Sequence, residues 1–237
     1  MLNLTFGPIP SRRFGMSLGI DLSASTKQCN FDCLYCELAP AKTVDKQSFI
    51  SSVSDIVLQV KQSLQKHPNV DVITFTANGE PTLYPYLDDL IDAIDAIKCN
   101  IKTLILSNGA NIYDNQIQKV LSKIDIVKLS LDCISKNCFK KLDRAHKDVN
   151  CEQIVNGMIE FRKNFKNTLV LETLFVKNIN DNSVEIDALY EAYNKIKPNR
   201  IDIGTIHRPP AYDVKPLAYD ELYDIANKFK SLLVTIA

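Results

Sequence analysis

Cys29, Cys33 and Cys36 stand within eight residues, in the stretch STKQCNFDCLYCELAP. Thiolates favour soft metals such as iron in clusters, zinc and copper(I). Three thiolates are one too few for a structural zinc site and one too many for a disulfide. A four-iron cluster usually takes one cysteine per iron, so three leave one iron with an open position. An open position on a metal is where chemistry takes place. Spacings of four and three residues let one short loop present three sulfurs to three corners of a cubane. Two plainer uses stand beside this one. A remote fourth ligand would complete a zinc site, and Cys33 with Cys36 would make a dithiol redox pair that leaves Cys29 idle.

Other residues carry chemistry by type and position. Glu80 follows Asn78 and Gly79, and Pro81 directly after it stiffens the turn. Ser130 and Asp132 are two apart in LSLD, which puts a hydroxyl and a carboxylate on one face of a strand; Asp132 as the cap of the next helix is the plainer reading. Glu172 lies inside the apolar run LVLETLF, and a buried carboxylate needs a partner, either a ligand or an internal Lys or Arg. Arg12, Arg13, Arg144 and Arg208 can hold carboxylate or phosphate, although solvated surface arginine is the commoner outcome. His146 and His207 receive no catalytic role. Cys133, Cys138 and Cys151 read as buried free thiols, with a second cluster as the lesser alternative.

Elements must bring these residues together. Apolar β-branched runs at 16–22, 71–76, 102–107, 125–131, 168–176 and 200–206 read as strands. Helical periodicity follows each of them, on a face that starts with Phe49, Ile50 and Val53, then near 87–97, 114–123, 151–164, 183–196 and 219–231. Six strand–helix units imply a parallel α/β sheet with right-handed crossovers. A closed barrel of this type needs eight units, so six predict a partial (β/α)6 TIM-like barrel, with an open doubly wound sheet as the competitor. The chain reads as a single domain over 1–237, with an N-terminal extension at 1–15 and the cysteine loop at 23–40. In either architecture the polar residues at the C-terminal ends of the strands gather on one face, together with the cysteine loop.

The pattern Cys29-x-x-x-Cys33-x-Tyr35-Cys36 resembles the signature of the radical S-adenosylmethionine (SAM) superfamily, whose fold is a partial (β/α)6 barrel. More narrowly, FGPIPSRRFGMSLGIDL, NGEPTL and HRPP resemble a subgroup of iron–sulfur oxidoreductases related to the tRNA wyosine-base synthases. The resemblance implies a [4Fe-4S] cluster on the three cysteines, with SAM on the open iron. One electron then cleaves SAM to a 5′-deoxyadenosyl radical, which takes hydrogen from substrate. It further implies SAM contacts from Tyr35, Asn78, Gly79, Glu80, Asn108, Ser130, Asp132 and Glu172. Asn78-Gly79-Glu80 stands where the superfamily usually has Gly-Gly-Glu. A flavodoxin- or ferredoxin-like electron donor is implied, and by kinship a tRNA base or another small molecule as substrate. The wyosine synthases carry extra cysteines ahead of the loop; this chain has none before Cys29. Two other functions are weighed: a glycyl-radical activase, whose glycine-rich opening is missing here, and a non-catalytic zinc or iron–sulfur scaffold.

Composition bounds the rest. Lys and Arg number 28 and so do Asp and Glu, so no global basic field draws nucleic acid. Seven cysteines, an odd count and mostly scattered, make a poor disulfide framework and point to a reducing cytoplasm. The N-terminus lacks the pattern of a signal peptide, and no apolar run approaches the roughly 20 residues that span a bilayer.

Overall fold

Polar and apolar residues alternate along the strands, and that alternation divides the molecule into a dry layer and an open lumen. In β3 (Val72–Thr76), Ile73 and Phe75 are fully buried in the main apolar core, whereas Thr74 and Thr76 line a cavity on the other side. In β5 (Ile126–Ser130), Val127 and Leu129 join the core while Lys128 and Ser130 take the lumen side. Removing one such Phe, Leu or Ile from water contributes about 1.5–3 kcal/mol, so this face fixes the strand register.

The computed structural model describes residues 2–236. Eight strands form one sheet whose spatial order is the order in the chain. They are β1 (Thr5–Ser11), β2 (Gly15–Asp21), β3, β4 (Lys102–Ser107), β5, β6 (Thr168–Phe175), β7 (Arg200–Thr205) and β8 (Val234–Ile236). All neighbours pair in parallel except β1 and β2, which form an antiparallel hairpin. The crossovers carry α1 (Val53–Lys66), α2 (Leu87–Asp95), α3 (Asn115–Leu121), α4 (Lys136–Leu142), α5 (Cys151–Asn164), α6 (Ser183–Ile196) and α7 (Tyr219–Lys228). Among the described residues no ladder joins β1 to β8, so the sheet curves as a partial barrel and stays open. Among the described residues no helix is long and apolar enough to cross a membrane.

The six-unit reading holds for β2 to β7, and four features depart from it. Residues 5–11 of the expected extension form β1. Its two prolines lack N–H groups and suit an edge strand, and its register slips between Phe6 and Ile9, which hides the strand from periodicity. A three-residue β8 follows α7, which ends at Lys228 and not near 231. Phe49 and Ile50 lie outside α1 and are exposed. The Ser52 hydroxyl caps α1 by accepting from Asp55 N at 3.1 Å, and the preceding backbone is held elsewhere, because Ser48 N and Phe49 N donate to Gln28 Oε1. Finally, Cys133 and Cys138 are not free thiols but a disulfide. Ser135 caps α4 by accepting from Cys138 N, which turns the chain back so that the two Cα atoms lie 5.5 Å apart.

Candidate active site

The cysteine loop follows β2 and rises over the C-terminal ends of the parallel strands. Gln28 docks it there. Gln28 N donates to Asn78 O and Glu80 N to Gln28 O, a short parallel bridge across Gly79. Gly79 has φ +146°, and a Cβ there would sit 1.9 Å from Gln28 O. The glycine that was expected to admit a ligand thus admits the cysteine loop. Further on, Asp32 N donates to Asp143 O and Leu34 N to Leu142 O, so the C-terminal end of α4 carries the middle of the loop.

Asp32, between the first two cysteines, is a hub. Its carboxylate meets Lys27 Nζ at 2.9 Å and Arg144 Nη2 at 3.3 Å, and it accepts from the Tyr212 hydroxyl. Burial works to raise its pKa, but the Tyr212 and Lys27 donors hold it below the ordinary value. Arg144 also stacks over the Tyr212 ring at 4.5 Å. The segment after β7 is bound to the loop twice more, by Ala211 N to Cys36 O and by Arg208 to Glu37 at 2.5 Å.

The three cysteines are half-buried, and all of them line two adjoining cavities of about 490 and 230 Å3. Sulfurs around one tetrahedral zinc lie ~3.8 Å apart, given Zn–S bonds near 2.3 Å. Among the described residues the three loop sulfurs are not all within 4.8 Å of one another. Burial, and then the Glu80 charge, pushes the Cys29 thiol up to about 12; burial and Asp143 push Cys33 well above its usual value. Burial thus disfavours bare thiolates at Cys29 and Cys33, and three cysteine donors on one loop fit a resident iron–sulfur cluster.

The other expected residues converge on the same face, most of them already engaged. Glu80 is buried: its Oε1 accepts from Thr82 N, Thr82 Oγ1 and Ser107 Oγ, and its Oε2 accepts from Asn108 N at 2.7 Å. Burial raises its pKa against those donors. Asn78 donates through N and Nδ2 to Asp21. Asn108 Nδ2 donates to Asn30 Oδ1 at 2.7 Å and lies 3.6 Å from Cys29 Sγ. Tyr35 donates to Asp132 Oδ2 at 2.6 Å, and Leu174 N donates to Asp132 Oδ1 at 2.7 Å. Burial pushes the Asp132 carboxyl up to about 7, against those two donors, and the Glu172 charge adds to it. Ser130 lines the smaller cysteine cavity beside Lys128 and Glu172. Glu172 has an internal partner, Lys128 Nζ at 2.5 Å, yet keeps about a third of its side chain exposed (36%) toward the cavity. Of the arginines, Arg208 is at the cavity mouth, Arg144 is bound to Asp32, Arg13 reaches into the lumen, and Arg12 is exposed in the β1–β2 turn.

Lys128, Asp202, Asp32 and Tyr212 escaped the sequence reading. For the first two a signal exists, since each is a charge at an alternate position of an apolar strand, DIVKLSL and RIDIGTI.

Comparison with known proteins agrees with this geometry. The family described as the radical SAM superfamily matches residues 24–190. A UPF0026 protein of Helicobacter pylori strain J99 is 40% identical over 237 residues, covering 99% of this chain and 76% of that protein. The structure of TYW1 with a lysine–pyruvate adduct bound superposes with a TM-score of 0.68 at 20% identity, over 91% of this chain and 73% of that one. Streptococcus suis SuiB bound to S-adenosylmethionine gives 0.67 at 17%, over 90% and 48%. At these identities the two structures speak to fold alone.

Proposed function

Because the chain belongs to the radical SAM superfamily, an enzyme family that binds a [4Fe-4S] cluster and SAM, we propose that Cys29, Cys33 and Cys36 hold the cluster and that the adjoining cavity seats SAM. When bound, the reduced cluster and SAM supply a 5′-deoxyadenosyl radical that removes a hydrogen atom from substrate. The observation that carries the reading is the placement of the three half-buried cysteines around a cavity at the C-terminal ends of a parallel sheet.

The chain's own residues then have separate tasks. Gln28, Gly79 and Asp32 fix the loop so that the three sulfurs are presented together. Glu80 holds Asn108 against Asn30 of the loop, and the Gly79 backbone, which lines the cavity, would meet the methionine end of SAM. Ser130 and Glu172 offer a hydroxyl and a carboxylate to the ribose, while Asp132 acts through Tyr35 as a positioning residue. Phe31, Leu38 and Leu174 give the cavity an apolar wall that keeps water from a reactive species. The electron comes from a flavodoxin- or ferredoxin-like donor.

The full chain, reconstituted with iron and sulfide under nitrogen, is given SAM and dithionite and assayed for 5′-deoxyadenosine. Wild type is expected to form it, and Cys33→Ala to lose both iron and cleavage. One zinc per chain with no cleavage would end the reading in favour of a scaffold.

A further inference from the structure

The barrel lumen beneath the cysteine cavities is a second space, about 850 Å3 in volume. It is continuous with them, because Thr76, Leu106, Lys128 and Glu172 line both the lumen and the smaller cysteine cavity. Closed barrels of this kind fill their interior with branched apolar side chains. Here charged groups stand at the corresponding positions, and they form a chain that ends at the floor. Asp202 is fully buried and is bound by Arg200 through Nε at 2.8 Å and Nη2 at 3.3 Å. Lys128 Nζ lies 3.5 Å from the same carboxylate and 2.5 Å from Glu172.

Arg13, in the β1–β2 turn, reaches in from the floor. Its Nε comes within 3.4 Å of Asp202 Oδ2, but Arg200 already holds that carboxylate, and neither Nε nor Nη2 of Arg13 makes a hydrogen bond although both are buried. Those two nitrogens form the side-on fork of a guanidinium, the edge that grips a carboxylate or phosphate with two parallel bonds. A buried donor without an acceptor is costly, and two on one charged group call for a missing acceptor. Arg13, Arg200 and Lys128 face only Asp202 and Glu172 in this chain of contacts. The nearby Asp21 carboxylate is spent on Asn78 and Ser23.

We propose that the lumen binds a small substrate by an oxyanion group, carboxylate or phosphate, held on the side-on fork of Arg13 at the barrel floor. The inference rests on the radical SAM reading for what happens next: an oxyanion fixed at the floor leaves the other end of the molecule directed up the lumen toward the SAM cavity. It names a substrate small enough to be enclosed, which a nucleic acid is not.

Binding of inorganic phosphate and of acetate, in separate arms, is measured by calorimetry on the reconstituted full chain. Saturable 1:1 binding of either is expected, and the arm that binds tells phosphate from carboxylate. Arg13→Gln should weaken it by about tenfold or more, and Arg13→Lys should recover part of the loss. If Arg13→Gln does not fold, a wild-type crystal grown with the bound probe decides: density on the Arg13 fork supports the proposal, density on Arg208 at the mouth overturns it. Absence of saturable binding of both anions to wild type, equal binding by wild type and Arg13→Gln, or binding of bulk tRNA without either small anion would each overturn it. The same wild-type sample is assayed for SAM cleavage. Cleavage without anion binding removes this inference alone, whereas anion binding without cleavage supports it and removes the radical reading.

Discussion

Asp132 shows how much of one residue's environment is supplied by elements distant from it in the sequence. Its place just beyond the C-terminal end of β5, two residues after Ser130, was legible in the run DIVKLSL. Its commitment to Tyr35 and Leu174 was not, since both partners come from elements distant in sequence. Burial, with the Glu172 charge added and against the Tyr35 and Leu174 donors, raises its carboxyl to about 7, from 3.8 for an ordinary aspartate. Between those two values the native chain holds a proton that the unfolded chain has released, so this group's contribution to stability falls as pH rises. Below about 4 both states are protonated, above about 7 both are ionised, and the contribution is flat. Asparagine has the same shape and no proton to lose. Asp132→Asn should therefore gain on wild type as pH goes from 4 to 7.5. The difference in iron-free melting temperature is expected to widen by something on the order of 5 °C. The comparison is made in an Asp143→Asn background, because burial and then the Asp132 charge raise the Asp143 carboxyl, so that group would not titrate alike in the two proteins. Parallel melting curves across that range would contradict the assignment.

At the scale of elements, strand–helix alternation made β2 to β7 readable, because each strand has an apolar face whose burial fixes it. β1 and β8 were unreadable for opposite reasons: β1 is interrupted by prolines and a register slip, and β8 is too short to carry a period. What joins the cysteine loop to the barrel was legible only as a glycine, at Gly79. That glycine lets the end of β3 and the loop approach to backbone contact, and a Cβ at φ +146° would strike Gln28 O. The obstacle is backbone and cannot swing away. Gly79→Ala should cost at least about 3 kcal/mol and, more tellingly, lower the iron bound per chain after reconstitution. Gly15→Ala is the contrast. It is also at positive φ, +77°, but starts β2 at the other end of the barrel, and the atoms its Cβ would meet belong to the Asp71 side chain. It should lose stability and keep its iron. Equal iron in both variants would mean that the Gln28–Gly79 bridge does not position the loop.

The whole molecule is an open barrel whose outer layer is dry and whose lumen is polar, with one loop near the N-terminus and one segment near the C-terminus meeting over the top. The convergence of polar residues at one end of the sheet followed from topology alone. The meeting of the two segments did not, because Tyr212 reaches Asp32 across 180 residues and Arg208 reaches Glu37 across 171, separations over which no local pattern operates. Asp32 sits at the centre of this closure. Its charge holds Lys27 and Arg144, Arg144 stacks on Tyr212, and one residue before Tyr212 the Ala211 amide bonds to Cys36 O. The 207–217 segment and the cysteine loop should then open as one unit. Asp32→Asn keeps the shape but removes the charge on which two cations and a phenol depend, and hydrogen bonds to a charged group contribute about 1.5–3 kcal/mol. In hydrogen-exchange measurements on the reconstituted chain, Ala211 and Leu34 are expected to be protected together in wild type. In Asp32→Asn both should exchange about tenfold faster or more, while amides in the centre of β5 stay unchanged and bound iron falls. If Leu34 responds and Ala211 does not, the segment after β7 covers the site without being coupled to it, and its three contacts with the loop are incidental to holding the cysteines in place.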